Sequence, residues 1–63
     1  MMNFDLADYI QIAGHISKKF GRAWLVSNGE DIKVAFTEKE KEFEKIHGFW
    51  VAVVFENGHP VEA

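Results

Sequence analysis

A chain of 63 residues without a single cysteine has no disulfide to hold it together. Disulfides are excluded, and so is a cysteine-based zinc site; both are common staples of domains this small. A chain of this size buries only about 60% of the surface its unfolded form exposes, so its margin of stability is narrow. Two remedies remain, a dense apolar core or a second copy of the chain. The composition suits both, with 48% hydrophobic and 14% aromatic residues. One compact domain over residues 1–63 is expected, since domains run upward from roughly 50 residues.

Apolar periodicity sets the order of the elements. Leu6, Tyr9, Ile10, Ala13, Ile16 and Phe20 recur at spacings of three and four, which predicts a helix over residues 4–20. Asn3 is placed to cap it, and Asp5 and Asp8 put negative charge on the first turn, where the helix dipole favours it. Lys18 and Lys19 fall in the last turn, and Gly21 follows as a stop. Gly14 inside the helix costs up to ~1 kcal/mol relative to alanine, which implies close packing at that point.

A β-hairpin follows. Residues 22–27 and 30–37 are β-prone runs joined by Asn28-Gly29, a type I′ turn signal. A two-residue turn would set Leu25 opposite Ile32 and Ala23 opposite Val34. One face then carries Ala23, Leu25, Ile32, Val34 and Phe36, and the other Arg22, Trp24, Val26, Asp31, Lys33 and Ala35. A four-residue loop would keep the same faces, because side chains alternate with period two. Thr37-Glu-Lys-Glu40 has the form of a capping box, so a second helix is expected from Glu38 to about His47, ending at Gly48. About ten residues cannot form a stable helix alone in water. Phe43 and Ile46 are its only apolar side chains, so docking on the sheet through them is expected. In the last segment Phe49, Val51, Val53 and Phe55 should share one face, with Trp50, Ala52 and Val54 on the other. Asn57-Gly58 turns the chain back into a short strand that Pro60 confines to an edge, since proline has no N–H to donate. The expected fold class is α+β in the order α-β-β-α-β-β, with two helices packed on one face of a small, mainly antiparallel four-stranded sheet.

Functional equipment is sparse. His15, His47 and His59 are widely spaced, and Glu44 with His47 is a single carboxylate–imidazole pair where helical metal centres use two. No metal and no cofactor is expected. Nucleophilic catalysis needs an activated group beside an oriented base, whereas Ser17, Ser27 and Thr37 fall on a helix, at a turn and at a cap. The reading is therefore not an enzyme. A net charge of -3, from seven basic and ten acidic residues, argues against a general nucleic-acid binder. No apolar run approaches the ~20 residues needed to cross a bilayer, and no basic-then-apolar leader opens the chain. A cytoplasmic setting is expected.

Binding to a protein partner is the leading expectation. Two short helices on one face leave the other apolar, and large exposed apolar surfaces mark interaction sites. The partner-binding residues expected are Trp24, Val26, Lys33, Trp50 and Val54, forming an aromatic sheet face that meets a second copy, as a homodimer, or an unidentified protein. An inhibitor, adaptor or regulator fits such a chain; short, acidic, cysteine-free α+β proteins of phages and mobile elements that block host machinery are the analogy of class. The alternative is a nucleic-acid-binding regulatory domain using Lys18, Lys19 and Arg22 at the end of the first helix, with Trp24 near for stacking.

Overall fold

A computed structural model describes residues 6–61. Its elements are α1 (Leu6–Phe20), β1 (Arg22–Ser27), β2 (Ile32–Ala35), α2 (Glu38–Ile46), β3 (Trp50–Glu56) and β4 (His59–Val61). This is the α-β-β-α-β-β order read from the sequence. The strands form one antiparallel sheet in the order β2-β1-β3-β4. Asn3 and Asp5 lie outside the described residues. Asp8, Lys18 and Lys19 stand in the terminal turns of α1 as the dipole favours. Gly21 ends the helix at φ 92°, its N–H donating to the Ser17 carbonyl at 2.7 Å.

α1 passes close to the β3–β4 turn at Gly14. A Cβ there would stand 3.4 Å from the Gly58 carbonyl oxygen. One turn further on, the fully buried Ser17 hydroxyl donates to the Gly14 carbonyl and accepts from the Gly58 N–H, both at 2.8 Å. That turn is the two-residue Asn57-Gly58 connection, with both residues at positive φ (53° and 91°) and Glu56 paired with His59. Pro60 sits on the outer strand β4, where its missing N–H is harmless.

The first Asn-Gly behaves differently. β1 and β2 pair Ser27 with Ile32 and Leu25 with Val34, so the loop holds four residues and the register differs by two from a tight turn. Asn28 is the cause. Its Oδ1 accepts from the N–H groups of Glu30 at 2.9 Å and Asp31 at 2.7 Å, and its own N–H donates to the Asp31 carbonyl at 3.2 Å. The side chain thus builds an Asx turn in place of the type I′ turn. A shift of two residues leaves the faces as expected, and Ala23 and Leu25 pack with Ala13 and Phe55 under α1.

β3 departs from strict alternation. Leu25 pairs with Val53 but Val26 pairs with Val51, which makes Ala52 an extra residue in a β-bulge. Beyond the bulge the faces exchange. Val51 and Phe49 pack with Trp24, Val26, Ala35 and Val54, while Trp50 and Ala52 line a cavity with Leu6 and Leu25 on the α1 side. The expected sharing of faces along this strand is therefore corrected for Phe49 to Ala52. The expectation that both helices lie on one face is corrected too. Lys41 of α2 lies over the Trp24 ring, with its ammonium 5.4 Å from the ring centroid. Trp24 alternates with the α1-facing residues Ala23 and Leu25, so each face of the sheet carries one helix. The topology explains this. β2 and β3 both run antiparallel to β1, so α2 is a crossover that passes over β1, and α1 already occupies the other side.

Candidate functional site

The sheet face expected to be open is closed. Trp24 is 6% exposed and Val26 is fully buried, in a core with Ala35 and Phe49 and with Val54 half-buried beside it. Lys33 borders that core, its ammonium 4.8 Å from the Phe49 ring centroid and 3.4 Å from a Glu44 carboxylate oxygen. Trp50 stands on the opposite face, 53% exposed. Four of the five expected partner-binding residues therefore come together, but as a second core with Lys33 on its rim, and the fifth is removed from them by the Ala52 bulge.

What closes the face is the charged side of α2. Lys41 and Glu44 are its half-buried residues, and Phe43 and Ile46, expected to dock, are 57% and 81% exposed. The helix is docked with its apolar stripe outward. Its attachments explain this orientation. Thr37 and Gly48, where the chain leaves and rejoins the sheet, are eleven residues apart, about three full turns, so they lie on one azimuth. Lys41 and Glu44 share that azimuth with them, and Phe43 and Ile46 are left on the far side. The cap reinforces the phase. The Thr37 hydroxyl accepts from the Glu40 N–H at 3.1 Å, and Glu40 reaches back to accept from the Phe36 N–H at 2.7 Å.

Burying a lysine stem here is chemically reasonable. The methylenes cover indole while the ammonium stays in reach of carboxylates, Glu38 at 3.2 Å and Glu42 at 3.3 Å. The hydrogen bond to Glu38, with Glu42 adding to it against a desolvation penalty, raises the Lys41 pKa above its ordinary 10.5. On the outer side the His47 ring lies 4.3 Å from the Phe43 ring, and its Nδ1 is 2.9 Å from the Phe43 carbonyl oxygen. Phe43, His47 and Ile46 form a small apolar shelf open to water.

The other expected residues are dispersed or engaged. The Lys18 stem packs along Gly58, and Arg22 is ion-paired with Glu56, so the basic patch does not stand as three open cations. His15 and His59 line an open groove of about 800 Å³ between α1 and β4, away from His47 on α2. Among the described residues no cluster of three or more potential metal ligands exists. Ser17 and Thr37 make the bonds given above, and the Ser27 hydroxyl accepts from the Gly29 N–H at 3.1 Å. No described helix is long and apolar enough to cross a membrane. Comparison with protein-family models, curated proteins and solved structures yields no match.

Proposed function

We propose that the protein is a small, non-enzymatic, cytoplasmic interaction module, an inhibitor, adaptor or regulator, that presents the outer face of α2 to an apolar groove on a protein partner. The observation that carries this reading is the orientation of α2, whose two large apolar side chains point to water at i and i+3. In a helix of nine residues that placement forfeits burial the core could have used. It matches the way amphipathic helices lay apolar anchors into grooves. A different protein is favoured over a second copy. The sheet face that called for a dimer is covered, and two nine-residue helices side by side fall short of the roughly 1,200 Å² buried in stable interfaces.

The test uses a Phe43→Ala, Ile46→Ala double variant, whose circular dichroism should match the wild type because both side chains are exposed. Affinity purification from the native cell with each bait should yield a partner held by the wild type alone. Calorimetry with that purified partner should show affinity reduced about 100-fold, the effect of losing two anchors worth over 1 kcal/mol each. Equal affinities would sink the reading. A doubled sedimentation mass that returns to one copy in the variant would assign the face to a homodimer instead.

A further inference from the structure

The groove between α1 and β4 has a chemistry that the α2 reading does not use. Gln11, His15 and Lys18 are spaced at i, i+4 and i+7, which sets them in one row along the flank of α1. They form one wall of the groove, His59 and Pro60 form the other, and the apolar lining includes Ile12 and Ile16 above the buried Phe55. Every polar side chain among these lining residues can donate a hydrogen bond. Among the described residues no carboxylate joins them, although acidic residues outnumber basic ones ten to seven in the chain. Lys18 also packs against the turn. Its Cγ, Cδ and Cε lie 3.1, 3.4 and 3.6 Å from where a Gly58 Cβ would stand, so its stem runs over the glycine turn beside the groove it lines.

An apolar floor beneath a rim of donors is the composition of a site for an amphiphilic anion. We propose that this groove binds a small apolar carboxylate, its hydrocarbon part against Ile12, Ile16 and Pro60 and its carboxylate at Lys18, within reach of the Gln11, His15 and His59 donors. An apolar amine of the same length meets the like charge of Lys18 and is disfavoured.

The probes are octanoate and octylammonium, titrated separately into isotopically labelled protein and followed by amide chemical shifts. Octanoate should give saturable shifts at Gly14, His15, Gly58 and His59 below about 10 mM, within the range open to so small a ligand. Octylammonium should leave those amides unmoved. Lys18→Gln should weaken octanoate binding roughly tenfold, the effect of removing a charge-assisted bond, and Lys18→Arg should retain it. Equal responses to the two amphiphiles, no saturation, or shifts centred on α2 would each overturn the site. The two ligands are compared on wild-type protein, so the result stands even if a Lys18 variant folds poorly.

Discussion

At the scale of single residues, two side chains carry more than their type suggests. Ser17 is a fully buried hydroxyl that links the helix to the Asn57-Gly58 turn, and it satisfies the Gly58 N–H. Ser17→Ala removes the acceptor and leaves that donor unmatched, so it should lower stability by about 1–3 kcal/mol in urea unfolding. An unchanged midpoint would show that the hydroxyl is dispensable. Trp24 is the second. From the sequence it is a surface anchor, because Asp31 and Lys33 share its face. In the fold it is core, so Trp24→Ala should cost about 3–5 kcal/mol of stability, and any loss of binding in that variant reports unfolding rather than a lost contact. A melting curve superposed on the wild type would contradict its burial. Local signals were a reliable guide wherever the chain decides matters locally. Gly14, Gly21, the Thr37 cap and the Asn57-Gly58 turn all do what their chemistry favours. Asn28 could turn the chain with its backbone or with its side chain, and the dipeptide alone does not distinguish the two.

At the scale of elements, the helix and strand spans were legible from periodicity, but the faces of α2 and β3 were not. β3 is apolar on both sides, so its sequence carries no alternation that would betray the Ala52 bulge. α2 has a clear apolar stripe, and the usual rule turns such a stripe inward. Its two attachment points overrule that rule, and the eleven-residue spacing of Thr37 and Gly48 was the signal that could have revealed it. The anchoring predicts that Thr37→Ala destabilises by about 1 kcal/mol through the lost cap, measured in urea. No change would mean the helix phase is held by other contacts. Lys41 gives α2 a pH signature. Its folded pKa lies above 10.5, raised first by Glu38. The ion-pair contribution is therefore complete below pH 10.5 and is lost as pH climbs through the raised value. The stability difference between wild type and Lys41→Gln should stay level at neutral pH and shrink in strongly alkaline solution. A gap that persists there would assign the effect to the buried stem alone.

At the scale of the whole molecule, the consequence of one helix on each face is that β1 belongs to two cores at once. Ala23 and Leu25 fill the core under α1, and Trp24 and Val26 fill the core under α2. Neither core is large, and a chain of this length has roughly 3–9 kcal/mol of total stability. Leu25→Ala alone should remove about 2–5 kcal/mol, a loss that a separate α1 layer could absorb without disturbing α2. A shared strand does not allow that separation. The two tryptophans make this testable, since Trp24 reports on the α2 core and Trp50 on the cavity beside Leu6 and Leu25. In Trp24→Phe and Trp50→Phe proteins, each with one remaining fluorophore, urea unfolding should give the same midpoint as circular dichroism, once the stability effect of each substitution is measured. Adding Leu25→Ala should move both fluorescence midpoints by equal amounts, although only Trp50 lies on the mutated side. A Trp24 signal that stays put while the Trp50 signal moves would mean that the two layers unfold separately, and that α2 with its exposed stripe is a detachable arm rather than part of a rigid platform.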